Sequence, residues 1–303
     1  MTNAIRRFAV PEMLGEAEVR PASSRARLFD LSVGLVEDVR DEGWADWGAE
    51  SYSPRFQLAL PYRGFFVWHV GGDDVAGDAN QALFITGGEE YRMSHPVRGG
   101  YAELIFTPAE CVLRELDEGT RGGLRAHALF RRRSRRLDLR LQSFRSRFLF
   151  WASTNTSEVD SLEAEELVSW MFRSALAEDA PSPLPTRSTR RLLVRTKAYL
   201  EARLAEPIRL ADVSDAVGAS PAYLTSLFRQ VEGVPLHRYL TQLRLARALV
   251  DLPHADDLTA LALDVGFSSH SHFSASFRRS FGMTPTEFRR ASRRRVSPSI
   301  SRG

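Results

Sequence analysis

Two stretches of the chain repeat one outline: 210-LADVSDAVGASPAYLTSLFRQVEGVP-235 and 258-LTALALDVGFSSHSHFSASFRRSFGMTP-285. Leu210, Val213 and Val217 correspond to Leu258, Leu261 and Val265 at an offset of 48, and Gly218 to Gly266. One added residue in the turn moves the offset to 49, after which Leu224, Phe228, Arg229 and Gly233 correspond to Phe273, Phe277, Arg278 and Gly282. Each copy predicts a short amphipathic helix, a glycine-containing turn and a second helix, the outline of a helix-turn-helix unit. Ser220 and Pro221 suit the N-cap and first position of one second helix, and Asp257 suits the cap of the helix starting at Leu258. Leu224, Leu227, Phe228 and Val231 stand at the spacing of a single buried face, as do Phe273, Phe277 and Phe281 in the other copy.

If those residues point inward, Ala222, Thr225, Ser226 and Arg229 point outward, and so do Ser271, Ser274, Ala275 and Arg278. A helix entering a major groove about 12 Å wide needs short side chains on its leading face. Ser and Thr hydroxyls and Ala and Thr methyls can meet base edges there, and arginine can hold a phosphate or a guanine. His270 and His272, near the start of the second such helix, are further candidates for base or phosphate contact. Two positions apart on a helix they face different ways, which argues against a metal pair.

Between the copies, 235-PLHRYLTQLRLARALVDL-252 predicts one helix with Leu240, Leu243, Ala246 and Val250 on its buried stripe. Its length of about 27 Å approaches the roughly 34 Å between successive major-groove faces on one side of B-DNA. One chain could then present two reading helices to one duplex.

Charge separates the parts of the chain. Residues 1–120 hold 11 Lys+Arg and 20 Asp+Glu, 121–186 hold 11 and 8, and 187–303 hold 19 and 10, so only the last segment is strongly basic. Lys197 is the one lysine among these cations, a bias that reads as a property of the coding sequence. Residues 50–108 carry short β-rich runs broken by Pro61, Gly64 and Gly71-Gly72, which predict an antiparallel sandwich or barrel. Two helices follow: one over 137–152 and one over 161–178, the latter with Leu162, Leu167, Trp170 or Met171, and Leu176 as its stripe. The prolines of 180-APSPLP-185 then mark a linker. The fold class is therefore α+β and multidomain. Its parts are a β domain over 1–136, a helical dimerisation segment over 137–179, a linker over 180–187, an all-α domain over 188–295 and a disordered tail over 296–303. The arginines at 289, 290 and 293–295 read as a solvated tail, and 131-RRRSRR-136 as a solvated connection.

No signal peptide or membrane-spanning run is legible, and a cytoplasmic protein is expected. The single cysteine, Cys111, excludes an internal disulfide or a cysteine-rich metal site and reads as a half-buried structural thiol.

At 188–295 the chain resembles the DNA-binding domain of AraC/XylS-type transcription regulators. The residues that carry the resemblance are 223-YLTSLFRQVEGVP-235, 240-LTQLRLARALV-250 and 264-DVGFSSHSHFSASFRRSFGMTPTEFR-289. The resemblance implies seven helices, the third and sixth being recognition helices. It departs from the family pattern at Arg209, where a Ser or Thr cap is usual, and at Ser214, where Ala is usual, so slight destabilisation is expected there. More weakly, the amino-terminal region resembles the family's sensory domain, a cupin-like β jelly roll followed by helices. If that domain takes a small effector, Trp44, Trp47, Tyr52, Phe66, Trp68, Tyr91 and His95 are candidate pocket residues, each competing with ordinary core packing. The family also implies double-stranded promoter DNA and RNA polymerase as partners, activation more often than repression, and no cofactor.

Three other functions were weighed. A cupin metalloenzyme fused to a DNA-binding domain needs a histidine-rich ligand set, but only His69 and His95 lie in the β region. A DNA-repair methyl acceptor needs reactive cysteines beyond Cys111. A regulator without a ligand, governed by abundance or by a protein partner, has no distinguishing residue.

Overall fold

In the computed structural model, residues 23–42, 51–118, 133–154, 161–176 and 186–293 are described. Trp44, Trp47, the linker prolines and the tail 296–303 lie outside them.

The first part is built from two antiparallel sheets. Strands β1 (Ser23–Leu31), β2 (Gly34–Asp41), β4 (Gln57–Gly64), β7 (Gln81–Ile85), β9 (Tyr101–Pro108) and β10 (Ser134–Arg136) form one, in the order β1-β2-β9-β4-β7-β10. Strands β3 (Ser51–Tyr52), β5 (Phe66–Val70), β6 (Asp73–Gly77) and β8 (Glu90–Ser94) form the other, in the order β3-β8-β5-β6. Side chains alternate across a strand, and the larger sheet uses both faces. Ala59, Leu83, Ile85 and Ile105 pack against Phe66, Trp68, Val70 and Val75 of the smaller sheet. Their neighbours Leu58, Leu60, Ala82, Phe84, Leu104 and Phe106 face the opposite way, onto helices. Covered on both faces, β7 and β9 are buried along their whole length, which is why they read as continuous apolar runs rather than alternating ones.

Those helices are α2 (Leu139–Thr154) and α3 (Ser161–Leu176), which follow α1 (Glu110–Glu118). The buried stripe of α3 is Ala164, Leu167, Val168, Met171, Phe172 and Ala175. Leu162, expected on it, is 61% exposed. Leu141, Phe148 and Trp151 of α2 join the same core, so the apolar faces that suggested a dimer interface are largely used within the chain. Cys111 is exposed rather than half-buried, because it sits in the first turn of α1 on the side away from Leu113.

Thr186 caps the next helix, accepting a hydrogen bond from the Thr189 amide. Seven helices follow: α4 (Arg187–Ala202), α5 (Leu210–Val217), α6 (Pro221–Val231), α7 (Leu236–Asp251), α8 (Leu258–Asp264), α9 (His270–Phe281) and α10 (Pro285–Ser292). They enclose two cores. Leu200, Val213, Val217, Leu224, Phe228, Tyr239 and Leu243 belong to the first. Leu249, Leu252, Leu261, Val265, Phe273, Phe277 and Phe288 belong to the second. Helix α7 serves both, and its buried positions extend well beyond the single stripe expected, to Leu236, Tyr239, Gln242, Leu245, Ala248 and Leu249. Val250, placed on that stripe by periodicity, is half-buried. Arg289 and Arg293 are not a solvated tail: their guanidiniums donate to the carbonyls of Ala255 and Pro253 and tie α10 to the loop after α7.

Candidate nucleic-acid interface

Helices α6 and α9 are the second members of the two repeated units, and each begins on a formed cap. Ser220 accepts from the Tyr223 amide at 3.3 Å, with Pro221 in the first turn, and Ser269 accepts from the His272 amide at 3.1 Å. Leu224, Leu227 and Phe228 turn one face of α6 into the first core, and Phe273, Ser276 and Phe277 turn one face of α9 into the second. This rotation leaves Ala222, Ser226 and Arg229 exposed on α6, and His270, Ser271, His272, Ala275 and Arg278 exposed on α9. Thr225 and Ser274, at equivalent positions, are half-buried.

Local hydrogen bonds limit what these groups can offer. The Thr225 hydroxyl donates to the Pro221 carbonyl at 2.9 Å, which leaves its oxygen as an acceptor and its methyl free for apolar contact. Ser274 Oγ lies 3.4 Å from His270 Nε2, and His272 Nδ1 lies 3.2 Å from Ser268 Oγ. The two histidines thus face different serines, and no group of three or more metal-ligating side chains is found among the described residues.

Three exposed residues on these faces escaped the sequence reading: Tyr223, 49% exposed, and Gln230 and Arg279. Tyr223 is the counterpart of His272 and Gln230 of Arg279 at the same offset of 49. The repeat itself was the signal, since naming His272 should have brought Tyr223 with it.

Both departures from the family pattern are absorbed locally. Arg209 offers no side-chain cap, but its amide donates to the Asp212 carboxylate at 3.0 Å, so half of a capping box forms. Ser214 is buried at 7% exposure, and its hydroxyl donates to the Ala219 carbonyl within the turn. The extra polar group is therefore satisfied within the turn.

In the β sandwich, Phe66, Trp68 and Tyr91 line a cavity of about 40 Å³ together with Gln57, Met93 and Glu103. Tyr52 is 56% exposed on β3 and does not line it. His95 stacks on Tyr101, with ring centroids 5.3 Å apart, outside the cavity lining. Glu103 was missed because it sits inside the apolar run of β9. It is 5% exposed, and its Oε2 has no hydrogen-bond partner among the described residues; nor has Trp68 Nε1. Burial pushes the Glu103 carboxyl up to about 8, against the opposing charge of Arg25.

Two capped helix pairs on two cores, joined by one helix, define a double helix-turn-helix domain. A family model described as a helix-turn-helix domain matches residues 213–291 of the carboxy-terminal region. That region is 39% identical over 93 residues to the HTH-type transcriptional activator RhaS of Escherichia fergusonii, a match covering 30% of this chain and 34% of that one. It is 33% identical over 129 residues to the HTH-type transcriptional activator RhaR of Klebsiella pneumoniae, covering 42% and 45%. A crystal structure of a transcriptional regulator with an AraC-type DNA-binding domain, from Chromobacterium violaceum, is 31% identical, with a TM-score of 0.34, covering 37% of this chain and all of that one. The chain thus spans less than half the length of these curated relatives. No helix among the described residues is long and apolar enough to cross a membrane.

Proposed function

We propose that the protein is a sequence-specific, double-stranded-DNA-binding transcriptional regulator without catalytic activity, α6 and α9 entering successive major grooves. The observation that carries this reading is the pair of equivalent, solvent-facing helix surfaces, with Ala222, Ser226 and Arg229 on one and Ser271, Ala275 and Arg278 on the other, on two cores that share α7. The relatives named above, two activators among them, support it and favour activation, for which RNA polymerase is the partner proposed. Selection of bound duplexes from random DNA, followed by footprinting, tests it. Two half-elements about one helical turn apart are expected; recovery of no preferred sequence would overturn it.

Control by a small effector in the β sandwich is the second part of the proposal. Its support is the cavity beside Phe66, Trp68 and Tyr91, where Glu103 Oε2 and the Trp68 indole N–H, both buried, have no hydrogen-bond partner among the described residues. Buried polar groups are normally satisfied, so a ligand group that both donates and accepts hydrogen bonds fits there. An effector would act by favouring one arrangement of the sandwich over another. Thermal shift of the full chain against metabolite pools is the test, and Glu103→Gln should abolish any shift observed.

A further inference from the structure

The segment joining β6 to β7, 78-DANQ-81, leaves the sandwich and enters the first helix-turn-helix unit. Ala79 is part of that unit's apolar core, together with Leu200, Val213 and Phe228. Among the described residues the second apolar core takes none from the amino-terminal domain, which meets that unit instead by packing α2 on α9 and α10, with Phe150 against the His254 ring.

Polar bonds surround Ala79. The Tyr239 hydroxyl, on α7, donates to Asp78 Oδ2 at 2.7 Å, and Asn80 Nδ2 donates to the Tyr239 carbonyl at 3.1 Å. Gln81 Nε2 donates to Glu232 Oε2 at 2.9 Å. The other Glu232 oxygen holds Lys197 Nζ of α4 at 2.7 Å, and that ammonium lies 5.1 Å from the centroid of the Tyr239 ring. Glu232 is the C-cap residue of α6 itself. All six of these polar residues are 7% exposed or less. Behind them, fully buried Arg145 approaches the Ala79 carbonyl at 3.4 Å, and Gln142 donates to Asn80 Oδ1 at 3.2 Å.

Contacts between domains of one chain are usually wet and loosely polar. This one is buried and bonded through, and a buried polar network of that kind specifies a single geometry while strongly penalising loss of one member. Gln81 also begins β7, the strand whose Leu83 and Ile85 line the sandwich cavity. One extended segment therefore runs from the cavity to the end of the first reading helix.

The geometry points to Asp78 and Gln81 as positioning residues for α6: through this network the amino-terminal domain completes the first helix-turn-helix unit, so a change in the sandwich reaches the DNA-facing surface by way of α6. This rests on the DNA-reading function proposed above and assigns one route of its regulation to the first reading helix.

The test uses the full chain and a duplex that it selects from a random pool, with Arg229→Ala and Arg278→Ala footprints identifying which half-element α6 reads. Tyr239→Phe removes the hydroxyl but keeps the ring against Phe228; Gln81→Glu sets a carboxylate against Glu232. Both should weaken binding about ten-fold, roughly 1.4 kcal/mol, with protection lost over the α6 half-element and kept over the α9 half-element. Equal loss over both halves, or no loss, would overturn the inference. Hydrogen exchange of the DNA-free full chain supplies a readout that does not depend on DNA reading. Faster exchange in 210–231 with 258–281 unchanged is expected for Tyr239→Phe, and uniform or absent change overturns the inference even if no DNA sequence is selected.

Discussion

Gly218 and Gly266 occupy equivalent points in the two units, yet only one of them lies against another part of the chain. A Cβ on Gly218 would meet nothing within 4 Å, whereas one on Gly266 would stand 2.4 Å from the Leu204 carbonyl oxygen. Both have positive φ, +67° and +91°. Gly218→Ala should cost about 1 kcal/mol, the conformational penalty alone. Gly266→Ala adds a backbone clash and should cost about 3 kcal/mol or more. Denaturant unfolding of the two variants measures the difference, and equal losses would refute it.

Arg229 and Arg278 are expected to differ from Thr225 and Ser274 in kind. Alanine at either arginine should weaken DNA binding by about 1–3 kcal/mol if it holds a guanine edge. If it holds a phosphate, the salt dependence should fall by about one counterion. Changes at Thr225 or Ser274 should shift the selected sequence more than the non-specific affinity. Titrations at several salt concentrations, with repeated selection, separate these outcomes.

Glu103 carries a pH dependence whose sign is fixed by the direction of its shift. Its carboxyl is raised from 4.5 to about 8, so between those values the folded chain binds more protons than the unfolded one. This group therefore lowers stability as pH rises from about 4.5 to about 8, with the full penalty present above that range. Glu103→Gln should be the more stable protein at pH 9, by on the order of a few kcal/mol, and the advantage should vanish below about pH 4.5. Paired melts across that range provide the check.

The start of α5 offers two opposite substitutions. Arg209→Ser supplies the missing side-chain acceptor beside the existing Asp212 bond and should stabilise the unit by about 1 kcal/mol. Ser214→Ala removes the bond to the Ala219 carbonyl and should destabilise it by about 1 kcal/mol. A Tm that rises for Ser214→Ala would mean that the hydroxyl contributes nothing to the turn.

The repeat made the carboxy-terminal domain legible because its apolar residues recur at helical spacing and its caps and glycines fall at the ends. Strands were legible as a class, since the Gly71-Gly72 pair interrupts β-forming runs; Pro61, read as a break, lies instead inside β4, paired with Glu103 beside a register shift. The contact between the domains was not. Asp78, Asn80 and Gln81 belong to a polar stretch that local chemistry assigns to a surface turn, and only the tertiary fold buries them. Lys197 carried the same hidden information. The lone lysine of an arginine-rich chain looked like a compositional accident, but it occupies a site, 4% exposed, between a carboxylate and an aromatic ring. The helices over 137–178 show the converse limit: apolar faces show that something covers them, but not whether it is the same chain or a second copy.

The intrusion of Ala79 into the first helix-turn-helix unit limits how chains of this design can be recombined. A hybrid cut at the proline-rich stretch would join a foreign sandwich to α4–α10 and leave Tyr239 and Glu232 facing a loop of the wrong shape. Exchanging target preference between such proteins would require grafting 78-DANQ-81 along with the helices, although more than a hundred positions of sequence separate them.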